Sequence, residues 1–405
     1  MRINKKSIGQ LAIFGGKSSF DEPLHVGRPN IGNRDSFLRR VNHMLDQRWL
    51  TNKGQYVQEF EQKIACYLGA KHCIATCNGT SALQIISRAL GLRGEVIVPS
   101  FTFLATPHAL EWQELHPVFC DIDPATHNCD PVKVEKLITP RTTGIVGVHL
   151  WGRACDVEAL DSVAKRHQLK ILYDAAHAFG CSYREKMIGN FGDAEIFSFH
   201  ATKIFNTFEG GAIVTNNDSL AAQVRYMKNF GFGGHDRGIY VGTNGKMTEV
   251  SAAMGLTNLE SLKEFIQINK LNYERYRSEL DGVAGVELIK YDESEKNNYQ
   301  YVVLNVDRET VGISCDQMAK ILLAENVIVK RYFSPPCHQM EPYRSYFPHA
   351  GVLLPETQNM SMRLLCLPTG TNITPEHICH ICQIIRLIIK NGKRIKVNLV
   401  CGRLA

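Results

Sequence analysis

The chain has 405 residues, of which 44% are hydrophobic and 21% are charged, and its formal net charge is +6. This length allows two domains with large cores, while so small a positive excess excludes nucleic-acid binding as a main function and suits an anionic small substrate. Irregularly spaced cysteines predict reduced, mostly buried thiols and no metal site, and the lack of a signal peptide or of a run of roughly 20 apolar residues predicts a cytoplasmic protein without membrane contact.

The first 60 residues are predicted to form an N-terminal arm and an opening helix. The helix is expected at residues 34–48. We expect the segment 1–60 to pack on the large domain that follows it or on a partner chain.

Residues 61–265 are predicted to form a large α/β domain, because short apolar runs alternate there with amphipathic helical stretches. The predicted strands are 73–76, 95–99, 117–122, 143–150, 170–174, 195–199 and 211–215, and the helices between them include 81–90, 131–138 and 157–166. This pattern indicates a seven-stranded, mostly parallel sheet. Such sheets bind ligands beyond the carboxyl ends of their strands, so we expect a site there.

After about residue 265 the pattern indicates a smaller C-terminal α/β domain, residues 266–392. A polar helix with an apolar stripe is predicted at 260–280. Strands are predicted at 286–289, 299–306 and 327–332, and helices at 315–325 and 377–389. Residues 393–405 are predicted to be a peripheral basic tail.

Asp174 and Lys203 carry most of the information about function. Asp174 ends the predicted strand 170–174, and Lys203 follows about 30 residues later. A pyridoxal phosphate enzyme needs an acid that pairs with the pyridine nitrogen and a lysine that forms the Schiff base. That lysine must also act as a neutral amine that moves a proton, so its pKa has to be lowered. The pattern predicts pyridoxal 5′-phosphate as cofactor, with a helix N-cap as the alternative role for Asp174.

The cofactor phosphate has candidate partners near the first and sixth predicted strands. Thr80 and Ser81 open a helix after the first strand, where backbone N–H groups and the helix dipole favour an anion. Ser198, five residues before Lys203, is predicted to donate to the same phosphate. The alternative for Thr80 and Ser81 is an ordinary N-cap.

The cofactor ring has two further candidates. Phe103 is predicted to stack on the ring face, with Phe101 as the competing choice and core packing as the alternative. His177 is predicted to contact the ring hydroxyl or to orient Asp174, with a structural histidine as the alternative.

The chain resembles the DegT-type nucleotide-sugar aminotransferases, which are fold-type I pyridoxal phosphate enzymes, from about residue 24 to residue 389. The resemblance rests on Trp49-Leu50-Thr51-Asn52, Cys77-Asn78-Gly79-Thr80-Ser81-Ala82-Leu83, Pro99-Ser100-Phe101-Thr102-Phe103, Tyr173-Asp174-Ala175-Ala176-His177, Ser198-Phe199-His200-Ala201-Thr202-Lys203 and Met247-Thr248-Glu249. It implies that Lys203 forms the Schiff base, that Asp174 pairs with the pyridine nitrogen and that His177 lies beside the ring. It also implies that Phe103 stacks on the ring and that the phosphate is bound by Thr80, Ser81 and Ser198. Some members carry histidine in place of the lysine and act as dehydratases, so Lys203 indicates a transaminase.

The resemblance also implies a homodimer with shared active sites. Asn244 matches the asparagine that reaches the phosphate from the other subunit. Glu209 is predicted to line the substrate pocket. Arg331 and Tyr332 lie in a segment predicted to close over the sugar nucleotide, with Arg331 facing its diphosphate; a surface charge is the alternative for Arg331.

The substrate prediction rests on residues 12–16, 23–29 and 205–211. They are similar to transaminases that use L-glutamate to aminate C4 of dTDP-4-dehydro-6-deoxyglucose, giving dTDP-4-amino-4,6-dideoxyglucose for O-antigen, capsule or glycosylated-metabolite synthesis. The alternatives are another ketosugar, either a C3-keto dTDP sugar or a GDP- or UDP-4-keto-6-deoxy sugar as in perosamine synthesis, and a non-catalytic cofactor-binding regulatory protein. A nicotinamide dehydrogenase lacks support, because no Gly-x-Gly-x-x-Gly follows the first strand.

Overall fold

The structure is a computed structural model that describes residues 5–234 and 237–400, with the backbone alone for residues 399 and 400. The strands are β1 (Leu24–His25), β2 (His72–Thr76), β3 (Glu95–Pro99), β4 (His116–Cys120), β5 (Thr142–Val148), β6 (Lys170–Asp174), β7 (Ser182–Tyr183), β8 (Lys186–Met187), β9 (Ala194–Ser198), β10 (Gly211–Thr215), β11 (Val286–Leu288), β12 (Val302–Val306), β13 (Val327–Ile328) and β14 (Leu364–Leu367). The helices are α1 (Arg34–Gln47), α2 (Gln55–Leu68), α3 (Gly79–Ala89), α4 (Ala105–Glu111), α5 (Pro131–Lys136), α6 (Val157–Arg166), α7 (Asp218–Met227), α8 (Glu249–Leu280), α9 (Arg308–Val311), α10 (Cys315–Ala324), α11 (Tyr343–Tyr346), α12 (Pro355–Arg363), α13 (Pro375–Lys390) and α14 (Gly392–Val400).

The central sheet has seven strands in the order β2-β10-β9-β6-β5-β3-β4. Strand β10 is antiparallel to both of its neighbours, and the other pairs are parallel. The predicted seven-stranded, mostly parallel sheet is therefore confirmed. Sequence reasoning did not predict the small hairpin β7–β8 or helix α4, both of which are too short to show a clear periodicity.

Helices cover both faces of this sheet, because successive side chains of a strand point to opposite faces. Cys73 and Ala75 of β2 pack on one face in the core that contains α2 and the first half of α8. Ile74, between them, packs on the other face with α3, α4 and α7. The parallel strands are thus buried on both sides, as their continuous apolar runs predict.

Helix α8 links the two regions of the chain. Its residues up to Phe265 pack in the core of the central sheet, and those from Tyr273 onward pack with the C-terminal three-stranded sheet β11-β12-β14. The helix begins 11 residues before the predicted start, at Glu249, because residues such as Ala252 and Ala253 are buried and so lack the polar face by which periodicity identifies a helix. The limits of the two predicted domains stay a prediction.

The N-terminal arm packs differently from what we expected. Leu11, Phe20 and Leu24 lie in the core of the C-terminal region, and the buried Glu325 carboxylate accepts hydrogen bonds from the Lys5 Nζ and from arm amides. Strand β1 pairs in parallel with β13. The sequence analysis placed the residues of β13 in a longer strand, 327–332. Helix α1, in contrast, packs on α8.

The tail is less peripheral than predicted. Helix α14 begins at Gly392, and Ile395 is fully buried in the C-terminal core; the rest of the predicted tail, residues 401–405, lies outside the described residues. Within residues 5–234 and 237–400, no helix combines the length and apolar character needed to cross a membrane.

Candidate active site

A cavity of about 350 Å³ lies at the carboxyl ends of the central strands and extends to the C-terminal region. Its walls come from the segments after β2 and β3, from the ends of β5, β6 and β9, from the Lys203 loop, from the arm and from the C-terminal region. The site residues predicted from the sequence that line it are Thr80, Phe103, Asp174, His177, Ser198, Lys203, Glu209 and Tyr332. Segments far apart in the chain thus meet where parallel strands end, as the topology requires.

Asp174 is a buried acid at the end of β6. Its Oδ2 accepts a hydrogen bond from the Thr106 hydroxyl at 2.8 Å, and its Oδ1 accepts one from the Ala176 N–H at 3.0 Å. Burial raises the pKa of Asp174, and these two hydrogen bonds and the Lys203 charge oppose the rise. A carboxylate offers about four acceptor positions, so Asp174 retains capacity for a further donor in the cavity.

Lys203 is a partly buried lysine on the loop between β9 and β10. Burial lowers its pKa to about 8, and the charge of Asp174 opposes this shift. The Tyr301 hydroxyl lies 3.5 Å from its Nζ. A pKa near 8 leaves a substantial fraction of neutral amine near neutral pH, which a lysine that moves protons requires.

His177 lies deep in the cavity. Its ring centroid is 4.6 Å from that of Tyr301, and the ring is stacked with Trp151 at 6.0 Å. Burial, and then the charge of Lys203, hold the pKa of His177 well below its usual value. Its Nδ1 is buried and has no hydrogen-bond partner among the described residues, and the neutral imidazole lines the cavity.

Phe103, rather than Phe101, faces the cavity. The Phe103 side chain is 59% exposed and lines the cavity wall. Phe101 is buried and packs edge-on against Trp151 and Phe333. The exposed aromatic face is therefore the one that the sequence favoured.

The N-terminus of α3 points toward the same space. Asn78 caps the helix by accepting the Ser81 N–H at 2.7 Å, and Thr80 and Ser198 line the cavity. A Cβ added to Gly79 would lie 3.1 Å from the Ser198 Cβ, so this glycine lets the helix start approach the end of β9. Ser81 is not in the cavity wall; its Oγ accepts a hydrogen bond from the Cys77 thiol at 3.3 Å.

Arg331 does not face the cavity, and the prediction that places it on the diphosphate is wrong for this geometry. Its guanidinium pairs with Asp316 and donates to the carbonyls of Leu364 at 3.0 Å and Ser361 at 2.7 Å. Lys330 lines the cavity instead. Neighbouring residues of an extended segment point to opposite sides. The sequence analysis therefore identified the segment that reaches the cavity but not the side chain that faces it.

Asn244 is exposed and is not part of the cavity wall of its own chain. Its segment is held by a bridge to Asn229. This placement leaves Asn244 available to another chain, and its role stays a prediction.

Sequence reasoning missed four contributors to the site. Thr106 holds Asp174, Tyr301 lies beside Lys203, and His200 and Lys330 line the cavity. The predicted strand 299–306 contained Tyr301, but only the packing of the C-terminal region shows that this tyrosine reaches the lysine. Thr106 lies in helix α4, which sequence reasoning did not predict.

The cavity fits pyridoxal phosphate. A buried carboxylate with spare acceptor capacity, a neutral histidine with an unpaired Nδ1, an exposed phenylalanine ring and a lysine lie around one space. The start of α3 adds a helix N-terminus, which favours phosphate. These are the groups needed to hold a pyridine nitrogen, a ring face, an aldehyde and a phosphate.

Comparison with known proteins agrees with this geometry. Residues 32–386 match the model of the DegT/DnrJ/EryC1/StrS aminotransferase family. A dTDP-4-amino-4,6-dideoxy-D-glucose transaminase of Shigella dysenteriae is 34% identical over 91% of this chain and 100% of its own length. A GDP-perosamine synthase of Caulobacter vibrioides (strain ATCC 19089 / CIP 103742 / CB 15) is 38% identical over 79% of this chain and 86% of its own. The crystal structure of DesI in the presence of its TDP-sugar product is 47% identical, covers 97% of this chain and 100% of its own, and superposes with a TM-score of 0.94. The chain therefore belongs to the DegT/DnrJ/EryC1/StrS aminotransferase family, whose enzymes depend on pyridoxal phosphate.

Proposed function

We propose that this aminotransferase moves the amino group of L-glutamate to C4 of dTDP-4-dehydro-6-deoxy-D-glucose, giving dTDP-4-amino-4,6-dideoxy-D-glucose. The observation that carries the proposal is the 47% identity, over 97% of the chain, to DesI solved with its TDP-sugar product. The Shigella dysenteriae relative, a transaminase named for this aminosugar, supports the same substrate. We also propose a cytoplasmic homodimer that feeds O-antigen, capsule or glycosylated-metabolite synthesis.

We assign the cofactor contacts from the cavity wall. Asp174 would hold the pyridine nitrogen and Phe103 would cover one ring face. His177, which lines the cavity, would contact the ring. The phosphate would lie at the start of α3, with Thr80, Ser81 and Ser198 as donors; the Ser81 Oγ accepts from the Cys77 thiol and keeps its own O–H for donation.

Bound pyridoxal phosphate supplies an electron sink that allows an amino group to be taken from the donor and passed to the ketosugar. Lys203 would carry the proton that this exchange needs, because burial favours its neutral amine. The Tyr301 hydroxyl, 3.5 Å from the Nζ, would orient that amine. Glu209 and Tyr332 line the cavity, and we assign them to the substrate.

We assign Asn244 to the active site of a second subunit. The proposal is supported by its exposure and by its position outside the cavity of its own chain. It makes the homodimer the active form.

A second candidate substrate is a GDP-4-keto-6-deoxy sugar. It is favoured by the 38% identity to the Caulobacter vibrioides GDP-perosamine synthase, which exceeds the identity to the Shigella dysenteriae transaminase but spans less of the chain. The cavity residues that we assign to the cofactor serve either substrate.

An assay of the purified holoenzyme tests the proposal. It is incubated with L-glutamate and each of the dTDP-, UDP- and GDP-4-keto-6-deoxy sugars, and 2-oxoglutarate and aminosugar are measured together. We expect equal amounts of both products, with the highest kcat/KM for the dTDP sugar, and no turnover by Lys203→Ala. The matched control is Lys320→Ala, which removes an exposed lysine of α10 outside the cavity.

Each other outcome has a clear meaning. Preference for the GDP sugar would favour the second candidate. Binding of the cofactor without turnover of any ketosugar would contradict the proposal and favour the regulatory alternative.

A further inference from the structure

The residue that follows Lys203 is bound by two side-chain amides from distant segments. Ile204 is buried in the irregular loop between β9 and β10. Its N–H donates to the Gln300 Oε1 at 2.9 Å, and its carbonyl oxygen accepts from the Asn30 Nδ2 at 3.0 Å. A buried backbone group needs a partner. Both polar backbone groups of Ile204 therefore find one in a side chain, one from the arm and one from the C-terminal region.

Two further amides join this arrangement. The Asn206 Nδ2 donates to the Asn30 carbonyl at 2.8 Å, and the Asn206 carbonyl accepts from the Asn258 Nδ2 at 2.8 Å. The Asn258 Oδ1 accepts the Gly32 N–H of the arm at 2.8 Å. All four amide residues are at most 6% exposed. We refer to Asn30, Asn206, Asn258 and Gln300 as the amide clamp.

The arm also contacts the residue before Lys203. Gly27 has a φ of +74°, and a Cβ built on it would lie 2.8 Å from the Thr202 carbonyl oxygen. The arm therefore packs on Thr202 through its backbone and binds Ile204 through Asn30. The Lys203 side chain between these two neighbours lines the cavity.

The clamp lies behind the site rather than in it. None of its four residues lines the cavity, so they do not compete with a bound molecule. A catalytic side chain needs a fixed position, because a shift of about 1 Å can cost on the order of 100-fold in rate, and loops are mobile unless they are packed. Amides bind both N–H and carbonyl groups and carry no charge, so they fix a loop without a Coulombic effect on a nearby lysine.

We propose that the four residues of the amide clamp are positioning residues that fix the loop and keep the Lys203 amine buried beside the Tyr301 hydroxyl. The inference rests on the proposed function, because it assumes that Lys203 carries the proton. A loosened loop would admit water to the amine and reverse the effect of burial, which lowers the pKa of Lys203 to about 8. The groups that face this amine are Asp174, His177 and Tyr301, and the test leaves all three unchanged.

Two substitutions, made separately, break the clamp at Ile204 while roughly keeping side-chain shape. Gln300→Met removes the acceptor of the Ile204 N–H. Asn30→Leu removes the donor to the Ile204 carbonyl. The first control is Thr371→Val, which removes a hydroxyl that donates to the Asn30 Oδ1 at 3.0 Å and leaves the Asn30 bond to Ile204 in place.

The second control, Asn190→Leu, removes an amide of the same kind outside the cavity wall. Its Nδ2 donates to the Leu68 carbonyl at 2.7 Å and to the Met187 carbonyl at 3.1 Å. This control reports what the loss of such an amide does to the melting temperature without any contact to the Lys203 loop.

Two measurements are made on each full-length protein. In the cofactor-free protein, the pH midpoint of Lys203 acylation is followed by peptide mass spectrometry. In the holoenzyme, kcat and the KM for L-glutamate are measured. We expect a midpoint near 8 in the wild type and both controls, and a rise toward the ordinary lysine value of about 10.4 in Gln300→Met and Asn30→Leu. We also expect kcat to fall about 10-fold or more in these two variants, with the KM for L-glutamate at the wild-type value.

A wild-type midpoint in both clamp variants, with only the melting temperature lowered, would overturn the inference, because the amides would then serve stability alone. An equal rise of the midpoint in Asn190→Leu would overturn it as well. The acylation midpoint requires neither cofactor nor ketosugar. A wild type that turns over no ketosugar would therefore contradict the proposed function, while the midpoints would still decide whether the clamp positions Lys203.

Discussion

We predict that the Thr106 hydroxyl keeps Asp174 ionised, so that its carboxylate can hold the pyridine nitrogen of the cofactor. Thr106 is 1% exposed, and its Oγ1 donates to the Asp174 Oδ2 at 2.8 Å. Replacing Thr106 with Val keeps the branched shape but removes this donor from a carboxylate whose pKa burial already raises. A hydrogen bond to a charged group contributes about 1.5–3 kcal/mol, so losing this donor should raise the pKa of Asp174 further.

A protonated Asp174 no longer attracts the pyridine nitrogen, so Thr106→Val should weaken pyridoxal phosphate binding about 10-fold or more. The deficit should grow as the pH falls through the raised pKa and shrink as the pH rises. The assay is equilibrium binding of pyridoxal phosphate, followed by absorbance between pH 6 and pH 9. The matched control is Thr102→Val, whose hydroxyl lies 3.0 Å from that of Thr106 and does not contact Asp174.

Wild-type affinity in Thr106→Val at every pH, with unchanged melting temperature, would refute this reasoning. The Asp174 charge would then be set by groups other than Thr106. A loss that is equal for Thr106→Val and Thr102→Val would also refute it, because the effect would not be specific to the donor that contacts Asp174.

Three further predictions follow from the site. In the cofactor-free protein, Lys203 should react with an amine-specific acylating reagent at a rate that rises with pH through about 8, since only the neutral amine is nucleophilic. Peptide mass spectrometry measures this rate against that of the exposed Lys320. A midpoint above pH 10 would contradict the lowered pKa. Mixing Lys203→Ala and Asn244→Ala protomers should restore activity that neither variant has alone, because one active site of the mixed dimer would keep both residues. If a verified mixed dimer recovers no activity, Asn244 does not act across the interface. Gly27→Ala should raise the KM for the nucleotide sugar several-fold, because the new Cβ would lie 2.8 Å from the Thr202 carbonyl oxygen. The control Gly9→Ala, whose Cβ meets no atom within 4 Å, should leave this KM unchanged. Equal KM values for the two variants would mean that the arm does not position the substrate.

The sequence was sufficient for the central sheet and for much of the cavity wall. Strands buried on both faces appear in the sequence as continuous apolar runs, so all seven were found, with every end within two residues of the observed one. Because parallel strands bring their carboxyl ends to one edge, Asp174, Ser198 and Phe103 could be placed together before any geometry was known. The loop that carries Lys203 was identified by the chemistry that its residues support.

Tertiary structure alone decided the contributions of the arm and of the C-terminal region. The pairing of β1 with β13 joins segments about 300 residues apart, and no local pattern encodes such a pairing. The choice between Lys330 and Arg331 depended on which side of an extended segment faces the cavity, and a shift of one residue reverses that choice. Local periodicity in this chain thus determined its strands and the chemistry at their ends, whereas the side chains that reach the cavity from other segments were determined by long-range packing.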